Sequence, residues 1–176
     1  MNPMSVDRLW AMPSKDTFSI PPVMGFVRGF LKPGMVVVDP FARNSRLGGH
    51  YTNDLNPDTA ADFHMMADAF LTTLLDDGVV ADVVQFDPPY TLRQVKEVYE
   101  QFGKWQFSDT QNAQRWTVER DLVARLVAPG GTVLSFGYST TCMGKKRGFE
   151  IVAIRIVSHG PAHNDTLCTA ERNRDR

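Results

Sequence analysis

The sequence predicts an α/β fold: a central, mostly parallel sheet covered by helices on both faces and closed by a C-terminal antiparallel hairpin. Three observations carry this reading. Short β-branched runs bounded by Gly and Pro recur as "GMVVVDP", "ADVVQFDPP" and "GGTVLSF". Continuous apolar runs of that kind suit strands buried on both faces. Amphipathic helical patterns separate the runs, the alternation expected of strand–helix–strand units. Finally, "FEIVAIRIVSHG" alternates in polarity and, after Gly160-Pro161 and Asn164-Asp165, is followed by "TLCTAE", which reads as a hairpin.

Taken in order, "SIPPVMGFVRGFL" places Val23, Phe26, Val27, Phe30 and Leu31 on one helical face. The turn Lys32-Pro33-Gly34 then introduces Val36, Val37 and Val38, ending on Asp39-Pro40. Between Asp39 and Asp54 there is little chain for a crossover helix, because parallel connections usually need a dozen or more residues. A shortened or missing helix is expected there. "DAFLTTLLDDG" sets Phe70, Leu71, Leu74 and Leu75 on one face, with Asp68 at the N-cap position and Gly78 past the end. The second Val run ends on Asp87-Pro88. "SDTQNAQRWTVERDLVARLVAPGG" then traces a stripe of Trp116, Leu122, Val123, Leu126 and Val127. Pro129-Gly130-Gly131 ends that helix and Thr132 to Phe136 form the next strand. "RNRDR" reads as a solvated end. No linker-like composition points to a second unit, so residues 1–176 read as a single domain without a separate target-recognition domain.

Composition narrows the function classes. Apolar residues make up 43% and charged residues 22% of the 176, ordinary for a soluble globular chain. Lys and Arg total 19 against 20 for Asp and Glu, a net charge of −1, so a polyanion site has to be a local patch. Cys142 and Cys168 lie far apart and read as reduced thiols. His64, His159 and His163 lack metal-ligand spacing, so no metal is expected. The N-terminus "MNPMSVDRLWAMPSKDTF" is charged throughout and no run is long enough to span a bilayer. The reading is a cytoplasmic protein with no membrane partner.

The chemistry concentrates in "VVQFDPPYTLRQ", Val83 to Gln94. Pro88 and Pro89 fix φ and carry no N–H, so the backbone there only accepts hydrogen bonds. Ionised Asp87 also only accepts. A rigid acceptor corner beside the ring of Tyr90 is complementary to a planar group bearing an exocyclic NH₂, a nucleobase amine. Asp39-Pro40 and Asp87-Pro88 both fall at strand carboxyl ends, the edge where open α/β sheets bind ligands.

These residues carry a resemblance. "DPPY" at Asp87–Tyr90 resembles the catalytic motif of the amino-methyltransferases that use S-adenosyl-L-methionine, and "DPFA" at Asp39–Ala42 resembles their first cofactor motif. "TNDLNP" at Thr52–Pro57 and "ADAF" at Ala67–Phe70 are similar to their ribose and adenine segments. The motif order is that of the DNA adenine-N6 group. "MPSKDTFSI" and "HNDTLCTAER" extend the resemblance, over about Met12 to Arg172, to small adenine methyltransferases of bacteriophages and prophages.

The resemblance implies a Rossmann-like class I methyltransferase acting on flipped-out adenine in DNA, in a bacterial host cell. Asp87, Pro88, Pro89 and Tyr90 become the catalytic candidates. Asp39, Pro40, Phe41, Ala42, Arg43, Asp54, Leu55, Asp68, Ala69, Lys15 and Phe18 become the cofactor candidates. Asp54 would hold the ribose, Asp68 the adenine amine, Asp39 the methionine amino group, and Leu55 and Ala69 would be apolar walls. The glycines usual in the first motif are missing after Phe41, so Arg43 or Arg46 is expected to hold the methionine carboxylate. Arg93, Lys145, Lys146 and Arg147 are candidate nucleic-acid contacts, the last three in a loop expected at the ligand edge. A homodimer bridging DNA is a further candidate.

Rival readings stand beside these. Asp39 also fits a strand-end turn, and Asp54 and Asp68 also fit N-caps. Met65 and Met66 read as core, and Trp105 as packing or a substrate contact. An RNA base amine is an alternative acceptor, and a non-catalytic binding protein is an alternative role.

Overall fold

The computed structural model describes residues 4–45, 47, 49–89, 91–102 and 116–174. In chain order they form β1 (Ser5–Trp10), α1 (Pro21–Phe30), β2 (Val37–Asp39), β3 (Tyr51–Thr52), α2 (Ala67–Asp76), β4 (Ala81–Phe86), α3 (Leu92–Gln101), α4 (Thr117–Leu126), β5 (Val127–Gly137), β6 (Phe149–Ser158) and β7 (Thr166–Asn173). The strands make one sheet in the order β1-β6-β7-β5-β4-β2-β3. Only β7 is antiparallel to its neighbours. The expected α/β class, mostly parallel sheet and closing hairpin are therefore what forms.

Two apolar cores flank the sheet. One packs α1 (Val23, Phe26, Val27) on Val37, Val83, Leu134, Phe136, Val157 and Ala170. The other packs α2, α3 and α4 (Leu71, Leu74, Val95, Tyr99, Val123, Leu126) on Val38, Val84 and Val133. Alternate residues of one strand feed opposite cores, which is why the Val runs show no polar alternation. Gly131 enters β5 where a Cβ would meet the Asp82 carbonyl at 3.0 Å and the Ala128 carbonyl at 2.9 Å, so no other residue fits.

The expected missing helix is found. Among the described residues between β2 and β3 there are only turns. Edge strand β1 is an addition to the expected set: its residues are all exposed and carry no buried stripe for a sequence pattern to show.

The loop after β5 also needs a correction. β6 runs parallel to β5, so Tyr138–Gly148 must return to the opposite edge of the sheet before β6 begins. Phe149 pairs with Asn173, whose side chain donates to the Val127 carbonyl at the start of β5 (3.0 Å). Buried Glu171 fixes the path by accepting from the Met143 and Gly144 N–H groups (2.7 and 2.9 Å). Lys145, Lys146 and Arg147 thus lie away from the carboxyl edge of the strands, and Arg147 is paired with Asp121 (2.6 Å).

Candidate active site

β2, β3 and β4 end side by side, and each hands its next residues to the same edge. A cleft of about 420 Å³ opens there, within the usual range for small-molecule sites. Its walls include Pro40, Phe41 and Arg43 after β2, Asp54 and Leu55 after β3, and Asp87, Pro88 and Pro89 after β4. Lys15 and Thr17 contribute from the segment before α1. A second cleft of about 330 Å³ takes Asp16, Phe18, Ala42 and Leu47 into its wall and shares Thr17, Phe41, Arg43, Asn44 and Asp87 with the first. Asp87 therefore borders both.

The acceptor corner is held from both sides. β4 is buried through Phe86, which is 1% exposed. After the corner, Thr91 and Gln94 form a reciprocal capping box that starts α3: the Gln94 N–H donates to Thr91 Oγ1 (3.2 Å) and the Thr91 N–H to Gln94 Oε1 (3.1 Å). Phe41 is wedged against Phe86 (centroids 5.5 Å apart, 85°) and Trp116 (5.2 Å, 72°), an edge-to-face cluster that fixes the ring bordering both clefts. Tyr90, Arg46 and Trp105 lie outside the described residues.

The loops after β2 and β3 are tied by side chains. Asn53, 1% exposed, donates to the Pro40 and Met65 carbonyls (3.1 and 3.0 Å) and accepts from the Met65 N–H (3.1 Å). Asp54 accepts from the Arg43 N–H (3.0 Å) and the Asn56 N–H (2.8 Å). That makes an Asx turn, and no helix starts at Pro57 to be capped. Arg43 has φ 49°, the left-handed region; its guanidinium donates to the Lys15 carbonyl (2.9 Å) and pairs with Asp16 (3.4 Å). Loop N–H groups are consumed internally, the Ala42 N–H by the Asn53 carbonyl and the Ser45 N–H by the Ala42 carbonyl (2.8 Å each).

Asp39 departs from its assignment. It is 2% exposed and lines neither cleft. It accepts from the Phe41 N–H (3.0 Å). Burial pushes its carboxyl well above the usual range, the Phe41 N–H partly offsets this, and the charges of Asp87 and Asp54 raise it further. It is a buried carboxylate whose charge is felt by the two half-buried ones, Asp87 and Asp54.

Asp68 and Ala69 are also displaced from their assignments. α2 starts at Ala67 with Met66 at the N-cap, and no side chain caps it. The cleft wall is made by Met65, Met66 and Ala67, because turning Phe70, Leu71 and Leu74 into the core rotates Asp68 and Ala69 off it. Asp68 Oδ1 is buried without a hydrogen-bond partner. Glu119 on α4 is raised above the usual range, first by burial and then by the charge of Asp68. The two methionines both touch the core and face the cleft, so the reading of them as core alone was too narrow.

Arg93 is exposed on the first turn of α3. Asn53, Met65, Met66 and Thr17 are site residues the sequence reading missed. Only Asn53 carried a signal, as the residue between Thr52 and Asp54 at a strand end. Cys142 and Cys168 are buried free thiols; burial and then the Asp87 charge push Cys168 up to about 12. Among the described residues no helix is long and apolar enough to cross a membrane.

No protein-family model and no curated protein matches the chain. Solved structures do. TrmN from Thermus thermophilus matches with TM-score 0.54 at 19% identity, over 88% of this chain and 49% of that one. NSun6 from Pyrococcus horikoshii, crystallised with SFG, matches with TM-score 0.59 at 12% identity, over 87% of this chain and 52% of that one. A methyltransferase homolog protein from Pyrococcus horikoshii matches with TM-score 0.55 at 14% identity, over 87% and 65%. The chain spans about half to two thirds of the length of these proteins. The fold is the Rossmann-like class I methyltransferase fold.

Proposed function

We propose that the chain moves a methyl group from S-adenosyl-L-methionine to the exocyclic N6 amine of adenine in DNA. One observation carries this: the Asp87-Pro88-Pro89 corner lines the same cleft as Asp54 and Leu55, so an amine acceptor and a nucleoside would sit within one space.

The residues present fit the cofactor. Asp54 has lone pairs left for ribose hydroxyls beyond its two N–H donors. Leu55, Met65 and Met66 offer apolar walls for an adenine ring. Arg43 is the cation nearest the loop where glycines are missing. When bound, the cofactor supplies an electrophilic methyl on a sulfonium.

The chain's own residues do the rest. Adenine N6 is a weak nucleophile because its lone pair is delocalised into the ring. Asp87 and the Pro88 carbonyl each accept one N6–H, which favours a tetrahedral nitrogen with its lone pair free. Positive charge develops on N6 as the methyl arrives, and the Asp87 carboxylate stabilises it. N6 then sheds one proton to solvent and ends neutral. The corner positions the amine before reaction, which avoids ordering it at the barrier.

An RNA base amine is the second reading, favoured by the corner itself: acceptors that read an exocyclic NH₂ do not read the sugar. Labelled methyl transfer to separate DNA and RNA acceptors tests both. Label appearing as N6-methyladenine in DNA is expected; label only in RNA replaces the first reading by the second, and label in neither, with the cofactor bound, removes both.

A further inference from the structure

The sheet's far edge carries a feature that methyl transfer does not use. Of the eight large apolar side chains exposed among the described residues, Met4, Val6, Leu9, Trp10 and Met12 belong to β1 and its flanks. Val6 is 58%, Trp10 65% and Met12 69% exposed. Even-numbered positions share one face of the strand, so Met4, Val6, Trp10 and Met12 form one apolar row. Ile154 and Ile156, in register with Val6 and Arg8, continue it onto β6. No helix covers this face: among the described residues the β5–β6 connection holds only a one-turn 3-10 segment, Lys145–Arg147.

β1 is also an open edge, since among the described residues it pairs only with β6. The Ala11 N–H donates to the Ser158 carbonyl (3.1 Å), so odd-numbered residues bond inward. Val6, Arg8 and Trp10 then present their N–H and C=O groups outward. Exposed edges are usually guarded by charge or proline. Here the two charges are engaged within the sheet: Asp7 is held by Arg155 (2.5 Å), and Arg8 donates to Ser158 Oγ (3.1 Å), which draws its guanidinium back over β6.

We propose that β1 is the contact between two copies of this chain, paired antiparallel about a two-fold axis through Arg8. That axis keeps each face of the sheet on its own side, so even residues oppose even residues. Val6 lies opposite Trp10 of the second copy, and Met4 opposite Met12, which makes every pair of the row apolar except the dyad pair. Cross-strand aromatic–β-branched pairs of this kind stabilise sheets. Val6, Arg8 and Trp10 each give and accept one main-chain hydrogen bond across the axis. Either register sets one like-charged pair on the axis, Arg8 opposite Arg8 here and Asp7 opposite Asp7 in the register centred one residue earlier, but only the latter also sets Val6 opposite Arg8 and so breaks the apolar pairing. The inference goes beyond methyl transfer and does not rest on it, because β1 and the clefts lie toward opposite ends of the strand order.

Sedimentation equilibrium on the full chain tests this. A wild-type dimer at tens of micromolar is expected. Val6→Lys and Trp10→Glu are each expected to weaken self-association on the order of a hundredfold, with the far-UV circular dichroism of the folded chain unchanged because both side chains are exposed. The double variant Val6→Lys/Trp10→Glu sets a lysine opposite a glutamate only in this register and is expected to restore the dimer. A monomeric wild type, a dimer untouched by either single change, or a double variant that stays monomeric overturns the proposal. The masses decide it whether or not adenine is methylated.

Discussion

Two strands of this sheet end in the same dipeptide, Asp-Pro, and the fold treats them in opposite ways. After β2, Asp39 is buried, bonded to the Phe41 N–H and raised well above the usual carboxylate range. After β4, Asp87 reaches the surface shared by two clefts. The difference comes from the residues beyond each aspartate. Phe41 packs edge-to-face on Phe86 and Trp116, and its N–H holds Asp39. Pro88 and Pro89 line the cleft beside Asp87, which stays half-buried at its edge.

Asp87→Ala sharpens this comparison most. It is expected to cut methyl transfer on the order of a thousandfold, while titration calorimetry shows cofactor binding changed only a few-fold. Equal loss from Asp87→Ala and Asp39→Asn would erase the distinction drawn here.

Asn53→Ala comes next. It removes the clamp on the Pro40 and Met65 carbonyls and is expected to cost about 2–3 kcal/mol in denaturant unfolding, since buried partners are left unsatisfied. It should raise KM for the cofactor more than it lowers kcat, because the walls move while the acceptor corner stays.

Asp39→Asn should have the smallest effect, and in the other direction. Burial makes the carboxylate costly in the folded state, so wild-type stability falls as pH rises from the unfolded value near 3.8 toward the raised folded value. Asparagine keeps an acceptor for the Phe41 N–H without the charge. The variant is therefore expected to melt higher than wild type at neutral pH. The gain should vanish in acid, where Asp39 is protonated in both states. A gain that persists below the unfolded value would place the effect in packing instead.

Much of the fold was legible because buried parallel strands leave a strong mark. Val36–Val38, Val83–Phe86 and Thr132–Phe136 are short, mostly apolar and rich in valine on both faces, bounded by Gly and Pro. The helices bounded by Pro21 and Gly78 were legible for the same local reasons. β1 was not, because a strand exposed on both faces carries no burial pattern. That Asp87, Pro88 and Pro89 follow a buried strand was legible too, and the structure sets them on the wall of a cleft. Asp68 was misjudged because rotation about the α2 axis, which decides what faces the cleft, is set by the core. Lys145–Arg147 were misjudged because the edge of the sheet they occupy depends on the direction of β6.

The sequence alone determined which segments are buried strands, where proline forbids donors, and which short loop cannot hold a helix. These depend on local sterics and on burial along one segment. The tertiary structure alone decided which of two Asp-Pro strand ends is buried, which side of α2 meets the cleft, and that Asn53 ties the loops after β2 and β3 together. Those outcomes depend on contacts between residues distant in the chain, and no single stretch contains both partners.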